Sequence, residues 1–243
     1  MKAPYYQKDG ITLYHGDCLE ILPTLPKVDA VITDPPYLIG GNSIGNSNSK
    51  SGTWADLNNS AFWFSTWYRL SWGKLIVNKG HFATFCNWRT QPLVICAMAA
   101  AGMSATSCLI WDKDWIGPAY KNALRPTYEM VIISSMSEAE IKDRCLSDIW
   151  RVRWMAAHSA DSIHPAEKPV VLLRKLSNAL TTEENIILDP FMGSGTTGIA
   201  CVRSGRQFIG IEIEEKYCEI AAKRIAMEQS QGRMEFRSSH PAS

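Results

Sequence analysis

A strand-length apolar run that ends in an acid and two prolines limits the folds open to this chain most strongly. Residues 28–33 form the run, and Asp34, Pro35, Pro36 and Tyr37 follow it directly. The strand cannot continue through the prolines, because they lack N–H groups and fix φ. Open parallel sheets carry their binding sites just beyond the carboxyl ends of strands. The pattern therefore predicts an α/β fold with a site at this strand end.

The residues after this run form a stiff row of hydrogen-bond acceptors beside an aromatic ring. The Asp34 carboxylate and the carbonyls of Asp34 and Pro35 can accept hydrogen bonds, and Tyr37 can stack on a ring. Such a row suits the exocyclic amine of a nucleobase, because two acceptors can hold its two hydrogens. A tight turn after a buried strand is the alternative. A cofactor site elsewhere in the chain would decide between the two.

The composition fits one ordinary globular domain, which we place at residues 1–243. Of the 243 residues, 46% are hydrophobic and 20% are charged, and the formal net charge is +1. This length supports a large core. A nearly neutral chain carries no overall electrostatic signature of a nucleic-acid partner, so any basic surface must be local.

The cysteines and the absence of targeting signals indicate a cytoplasmic protein. The seven cysteines include no Cys-x-x-Cys pair and no metal-like spacing with histidine, so we expect reduced thiols and no metal site. We find no signal peptide and no apolar run of membrane-spanning length, which predicts no membrane partner.

A second strand-end motif supplies a cofactor site. A predicted strand at 185–189 leads into the glycine-rich segment Asp189–Gly198 and then into a helix. Such a turn lets the backbone approach a ligand closely. Glu212 ends the following predicted strand and is placed to accept both hydroxyls of a ribose.

Two kinds of cofactor compete for this turn. Gly193, Gly195 and Gly198 match the dinucleotide pattern G-x-G-x-x-G, which alone favours a nicotinamide or flavin cofactor. Asp189 argues against a pyrophosphate and suits a cationic ligand, such as the ammonium and sulfonium of S-adenosylmethionine. We therefore favour S-adenosylmethionine, with a nicotinamide-dependent oxidoreductase as the alternative.

With these residues in place, the sequence resembles the amino-methylating DNA methyltransferases of bacteria and their phages. It matches the permuted, β-type group, in which D-P-P-Y precedes F-x-G-x-G-T-T. The likeness covers about residues 10–230, and four motifs carry it in order: Gly16-Asp17, Asp34–Tyr37, His164–Pro169 and Asp189–Thr197. It implies a single-domain Rossmann-like fold with a seven-stranded, mainly parallel sheet, its last strand antiparallel, and helices on both faces.

The resemblance also implies roles for individual residues. Asp34, Pro35, Pro36 and Tyr37 would hold and stack a flipped target base. The residues implied at S-adenosylmethionine are Asp17 at the adenine, Glu212 at the ribose, His164 and Lys168 at the carboxylate, Asp189 at the ammonium, and Asp34, Phe191, Gly193, Ser194, Gly195, Thr196 and Thr197. The residues alone leave Asp17 equally open to capping a helix. The strand from Ile11 would lie beside the one ending in Glu212, and the Asp34 strand beside the Asp189 strand.

Segments outside the motifs are candidates for DNA contact. We interpret residues 38–60, rich in Gly, Ser and Asn, as a mobile loop over the active site, with a disordered excursion as the alternative. Residues 135–163 form a small candidate target-recognition segment. The candidate phosphate contacts, with simple solvation as the alternative, are Lys113, Lys121, Arg125, Arg144, Arg151 and Arg153. Larger relatives carry a substantial target-recognition insertion, which this chain lacks room for. We therefore expect a short or relaxed recognition sequence, or further DNA contacts supplied by a homodimer.

The leading hypothesis is methyl transfer from S-adenosylmethionine to adenine N6 in duplex DNA, by base flipping and direct attack. An Asp heading the D-P-P-Y motif favours adenine, since cytosine-N4 relatives more often carry Ser. A cytosine-N4 enzyme is the first alternative, followed by a protein or RNA methyltransferase and a non-catalytic adenosyl-binding DNA module. A cognate restriction endonuclease and an orphan or phage role are both compatible with the sequence.

Overall fold

The protein, described here by a computed structural model, is built around one mixed β-sheet. The structure describes residues 2–36, 57–74, 76–117, 121–122, 124–154 and 167–239. Tyr37, His164 and residues 38–56 lie outside these ranges, so the predictions made for them stay predictions. Residues 57–60, which the sequence placed at the end of the loop, are helical.

The strands and helices alternate along most of the chain. The strands are β1 (Tyr6–Lys8), β2 (Ile11–His15), β3 (Val28–Thr33), β4 (Ile76–Cys86), β5 (Ala105–Asp112), β6 (Tyr128–Ser135), β7 (Ile149–Arg151), β8 (Ile186–Asp189) and β9 (Gln207–Glu212). The helices are α1 (Cys18–Ile21), α2 (Leu57–Lys74), α3 (Gln91–Ala100), α4 (Val170–Leu180), α5 (Thr196–Val202) and α6 (Glu215–Ser239). Within the described ranges, no helix is both long and apolar enough to cross a membrane.

The sheet order places the predicted motifs side by side. The order is β1-β2-β9-β8-β3-β4-β6-β5-β7, and β2, β9, β8, β3 and β4 are parallel neighbours. β2 pairs with β9, with His15 opposite Glu212, and β3 pairs with β8. Both neighbour relations expected from the sequence are therefore confirmed. The ends of β3, β8 and β9 meet at one edge of the sheet.

The α/β class is confirmed, but the strand count was wrong. The described residues form nine strands, not seven, because the three-residue strands β1 and β7 add one to each edge. Strands this short are invisible to a search for period-two alternation. The internal antiparallel strand is β6, between β4 and β5, whereas β9, the last in the chain, is parallel to both neighbours. No helix is found among the described residues between β5 and β6, and the two strands pair antiparallel, as directly connected neighbours can.

Two hydrophobic clusters cover the two faces of the sheet. Alternate residues of β3 enter different clusters, with Ala30 and Ile32 in one and Val28 and Val31 in the other. Helices α4, α5 and α6 contribute to the first cluster, and α1, α2 and α3 contribute to the second. A strand that is buried on both faces reads as a continuous apolar run, which is why β3 was visible in the sequence.

The buried Asp189 carboxylate joins three elements at the functional edge. Its Oδ1 accepts hydrogen bonds from the Thr33 hydroxyl at 2.7 Å and from the Phe191 N–H at 3.1 Å. Its Oδ2 accepts one from the Thr197 hydroxyl at 2.7 Å. The carboxylate thus ties the end of β3 to the turn after β8 and to the start of α5. Burial raises the pKa of Asp189 to about 6, despite these three donors.

Gly195 and Gly198 are required by packing. Gly195 has φ of 84°, and a Cβ there would lie 2.7 Å from the Ala221 Cβ on α6. A Cβ on Gly198 would lie 2.5 Å from Ile225 and 3.0 Å from Phe208. Both glycines allow α5 to pack closely against α6 and β9.

Gly195→Ala is expected to destabilise the fold by about 3 kcal/mol, combining left-handed backbone strain with overpacking against α6. Urea unfolding measures the change. Gly102→Ala is the matched control, since Gly102 has φ of 77° and open space around the added Cβ. The control should lose only about 1 kcal/mol. Equal losses in the two variants would contradict the close contact with Ala221.

The raised pKa of Asp189 predicts a pH-dependent stability. Because its folded pKa lies above the unfolded value of 3.8, protonation favours the folded state. This carboxyl should therefore contribute more stability as the pH falls from 7 through 6 towards 4. Relative to the non-titrating Asp189→Asn, wild-type protein should gain on the order of 2 kcal/mol over this range. Denaturant unfolding at each pH measures it, and a constant difference would contradict the prediction.

Candidate active site

A cavity of about 460 Å³ lies where the ends of β3, β8 and β9 meet. It is large enough for a cofactor-sized ligand. The predicted site residues that line it are Asp34, Pro35, Pro36, Lys168, Asp189, Phe191, Gly193, Ser194, Thr196, Thr197 and Glu212. Of the predicted catalytic and cofactor residues that the structure describes, Asp17 and Gly195 are outside this lining. The two motifs that the sequence placed at strand ends thus share one cavity.

Asp34 presents two carboxylate oxygens with different environments. Oδ2 accepts a hydrogen bond from the Lys168 ammonium. Oδ1 is buried and, within the part of the chain that the structure describes, has no hydrogen-bond partner. A buried acceptor without a donor is costly unless a ligand supplies one. One oxygen of Asp34 is therefore fixed by the protein, and the other has no donor among the described residues.

Lys168 belongs to a cluster of alternating charges. Its side chain lies in the extended segment before α4 and is 8% exposed. Its Nζ lies 3.2 Å from Glu129 Oε2, and Glu129 Oε1 accepts a hydrogen bond from Lys113 at 2.6 Å. The Lys168 ammonium also stands 5.2 Å from the Phe85 ring centre. The sequence anticipated Lys168 at the cofactor carboxylate, whereas the structure places its ammonium on Asp34 and Glu129.

The pKa shifts in this cluster favour the charged forms. Burial alone would lower the pKa of Lys168, but the carboxylates of Asp34 and Glu129 outweigh burial and raise it. Burial alone would raise the pKa of Glu129, but the Lys168 and Lys113 ammonium groups outweigh burial and lower it. Buried ions tolerate this environment only when they are paired. Glu129 and Lys168 therefore stay ionised around neutral pH.

The three glycines of the dinucleotide-like pattern have different surroundings. Gly193 has φ of 51°, lines the cavity, and has open space where a Cβ would be. Gly195 and Gly198 instead face protein atoms of α6 and β9. The letters of the pattern thus arise from one cavity position and two packing positions. The second glycine of a dinucleotide site approaches the pyrophosphate, whereas Gly195 packs against α6, which argues against a dinucleotide.

Glu212 holds the glycine turn against the end of β9. Its Oε2 accepts a hydrogen bond from the Gly193 N–H at 3.0 Å, and its Oε1 accepts one from the Glu214 N–H at 2.9 Å. The carboxylate is partly exposed and lines the cavity. Each oxygen retains a lone pair that can accept from a ligand.

The sequence analysis missed a second ion pair at the cavity rim. Arg224 of α6 donates to Glu167, to the Ser194 carbonyl at 2.8 Å and to the Ser194 hydroxyl at 2.9 Å. The Thr196 hydroxyl donates to Glu167 at 2.7 Å. These bonds tie the segment before α4 to the glycine turn. Glu167 stands inside the H-P-x-x-K-P motif, which was the available signal, while nothing in the sequence singled out Arg224.

Asp17 acts as a helix cap in the structure. Its carboxylate accepts a hydrogen bond from the Leu19 N–H at 2.9 Å at the start of α1, and the residue is exposed. The capping alternative is therefore confirmed. Contact with an adenine amino group stays a prediction.

The candidate DNA contacts differ in how many contacts their side chains make within the protein. Lys113 pairs with Glu129 and is largely buried, which argues against a phosphate contact. Arg125 donates to the Gly117 carbonyl at 2.6 Å, and the exposed Arg151 pairs with Asp112 at 2.8 Å. Lys121, Arg144 and Arg153 are exposed.

Part of the candidate recognition segment is built into the sheet. Strand β7 lies within 135–163, pairs with β5, and buries Trp150. Trp154, which follows β7, packs against Trp115, with ring centres 4.7 Å apart. Residues 155–163 lie outside the described ranges. The described residues of this segment therefore pack against β5 and the β5–β6 connection, which lies at the cavity edge of the sheet.

Comparison with known proteins gives matches along most of the chain. The type II methyltransferase M2.DpnII of Streptococcus pneumoniae is 28% identical over 264 residues, covering 94% of this chain and 94% of that protein. The crystal structure of the M1.HpyAVI–SAM complex is 27% identical, covers 88% of this chain and 98% of that one, and gives a TM-score of 0.69.

A further structural match and a family model extend these likenesses. The PvuII DNA methyltransferase, described as cytosine-N4-specific, has a TM-score of 0.72 over 95% of each chain; at 18% identity this likeness concerns the fold alone. The model of the DNA methylase family N6_N4_Mtase matches residues 28–223, which include the strand before Asp34, the Lys168 segment and the glycine turn. The chain belongs to this family of DNA methylases.

Proposed function

We propose that this chain is a site-specific methyltransferase that transfers a methyl group to the exocyclic N6 of adenine in duplex DNA. The observation that carries the proposal is the buried, unpartnered Oδ1 of Asp34 at the edge of the cavity. Such an acceptor suits a hydrogen of an amino group. Access to that amine requires the base to leave the duplex stack, so base flipping is part of the proposal.

The methyl donor is S-adenosylmethionine, and the residues present fit this cofactor. Gly193 leaves open space at the cavity, and Glu212 keeps lone pairs for ribose hydroxyls. The surrounding carboxylates of Asp34, Asp189 and Glu212 suit a ligand with a cationic centre. When bound, the cofactor supplies an electrophilic methyl group on its sulfonium.

Asp34 would make the target amine a better nucleophile. The lone pair of an exocyclic amine is delocalised into the ring, and hydrogen bonding of its two hydrogens favours a more tetrahedral nitrogen. Oδ1 of Asp34 would accept one hydrogen, and a main-chain carbonyl of the Asp-Pro-Pro segment would accept the other. As the nitrogen gains positive charge, the fixed carboxylate stabilises it. Tyr37 would stack on the base beside these acceptors.

Adenine is favoured over cytosine by the acid at the head of the motif. Cytosine N4 also presents two hydrogens to two acceptors, so the mechanism above would serve either base. The PvuII enzyme, described as cytosine-N4-specific, shares the fold. Cytosine N4 is therefore the second candidate. Similar proteins include type II methyltransferases, consistent with a partner endonuclease, although an orphan role is equally compatible.

The proposed DNA-facing parts are one loop, one short segment and four exposed basic side chains. In this proposal, residues 38–56 close over the flipped base. Residues 1–243 form a single domain with the permuted order of motifs. Residues 135–163 and the exposed Lys121, Arg144, Arg151 and Arg153 contact the duplex. A homodimer would extend this small surface, and the protein would act in the cytoplasm.

The product on DNA tests the proposal. After incubation with duplex DNA and S-adenosylmethionine, nucleoside digestion and mass spectrometry should detect N6-methyladenine. Asp34→Ala should lower turnover by roughly 100-fold or more, the scale of losing a key transition-state hydrogen bond. Its cofactor affinity should remain close to that of wild type.

Asp29→Ala is the matched control, because Asp29 lies at the opposite end of β3 and accepts from the Ile186 N–H at 2.8 Å. This variant should keep the wild-type turnover. N4-methylcytosine without N6-methyladenine would overturn the choice of base. An Asp34→Ala variant with wild-type turnover would overturn the role of Asp34.

Direct transfer predicts that no cysteine acts as a nucleophile. Cys86 ends β4 at the same edge as Asp34, but burial raises the pKa of its thiol to about 12. A neutral thiol is a poor nucleophile. Cys86→Ala should therefore keep single-turnover methylation within about threefold of wild type. A variant with a normal circular dichroism spectrum and no activity would contradict direct transfer.

A further inference from the structure

A chain of alternating charges connects the base of the β5–β6 connection with Asp34. Lys113 follows β5, Glu129 is on β6, Lys168 precedes α4, and Asp34 follows β3. Each neighbour in this order is an ion pair. Charged side chains from four separate elements of the fold therefore meet in this chain.

Glu129 bridges the two lysines of this chain. Oε1 accepts from Lys113 at 2.6 Å, and Oε2 lies 3.2 Å from the Lys168 ammonium. Pairing with Lys113 would need only one of these oxygens. The second oxygen gives Lys168 a carboxylate neighbour on the side away from Asp34. Lys168 is thus held between two carboxylates, and only Oδ2 of Asp34 is engaged.

Removing the charge of Glu129 would change how Asp34 is used. Two buried ammonium groups would then stand near a single carboxylate, and a buried ion without its partner is strongly unfavourable. The Lys168 ammonium would have Asp34 as its remaining carboxylate partner in the chain of charges. Its position on Oδ2 would no longer be fixed from both sides. The ammonium could then also contact Oδ1, and Oδ1 would no longer be kept free to accept a hydrogen bond from a ligand.

We infer that Glu129 is a positioning residue for methyl transfer. It holds the Lys168 ammonium on Oδ2 of Asp34, so that Oδ1 stays directed at the target amine. Glu129 acts through Lys168 and touches neither the base nor the cofactor. The inference rests on the proposed role of Asp34 as the acceptor for that amine.

Glu129→Gln tests this role, because it keeps the shape of the side chain and removes its charge. We expect the single-turnover methylation rate to fall about 10- to 100-fold, a partial loss of the contribution of Asp34. Dissociation constants for S-adenosylmethionine and for duplex DNA should stay within about threefold of wild type. Glu183→Gln, the same change at an exposed site outside the proposed DNA-binding segments, is the control and should leave all three quantities unchanged.

The pH profile separates positioning from general structural support. In wild type the two carboxylates hold the pKa of Lys168 above its ordinary value, so the pair with Asp34 persists at alkaline pH. In Glu129→Gln one carboxylate is lost while burial remains, so the pKa of Lys168 falls. The variant's rate should therefore decline at a lower alkaline pH than the wild-type rate. Glu129→Asp keeps the charge and should move the decline back towards wild type.

The double variant Lys113→Met/Glu129→Gln keeps the test decisive if Glu129→Gln does not fold. It removes the outer pair together, which proteins tolerate better than an unpaired buried ion. The same rate loss and alkaline decline are expected. A wild-type rate in either folded variant would overturn the inference, as would a slower rate with an unmoved pH profile.

Failure of this inference differs from failure of the proposed function. Wild-type turnover in Asp34→Ala would reject the role of Asp34 itself. An inactive Asp34→Ala variant beside a Glu129→Gln variant with the wild-type rate and pH profile would reject only the positioning role of Glu129.

Discussion

The buried carboxylate of Asp189 is the interaction on which the geometry of the active site depends. It accepts hydrogen bonds from Thr33 at the end of β3, from the Phe191 N–H in the turn after β8, and from Thr197 in α5. A buried carboxylate requires such donors, so these three groups must keep their relative positions. Thr33 directly precedes Asp34. Asp34 and the glycine turn are therefore held in register by one side chain.

The glycine turn shows how one sequence pattern can serve different purposes. The spacing of Gly193, Gly195 and Gly198 matches a dinucleotide site, but only Gly193 faces the cavity. The other two allow α5 to approach α6 and β9. Glu212 then fixes Gly193 from the end of β9. The spacing of the glycines therefore reflects close helix packing at two positions and the cavity at one.

Parts of the fold and site that depend on continuous stretches of chain were predictable. The apolar run before Asp34 and the turn after Asp189 locate two strand ends, and the resemblance placed their strands side by side. Glu129, Arg224 and the pairing of Lys113 were not predictable, because they depend on contacts between distant elements. In the sequence, Glu129 is one acid after Tyr128, and no motif marks it. Its partner followed only once β6 was found between β4 and β5.

The alternating charges also resolve an electrostatic conflict at this cavity. Carboxylates suit the cationic cofactor, yet a partly buried carboxylate without a counterion is unfavourable. Lys168 supplies the counterion for Asp34, and Glu129 offsets the charge that Lys168 brings. Lys113 then compensates Glu129 towards the β5–β6 connection. Because the four charges sum to zero, Asp34 has its counterion without a net positive charge in the cluster. A hydrophobic replacement of the same volume could pack as well, but it could not fix which oxygen of Asp34 is engaged by the protein.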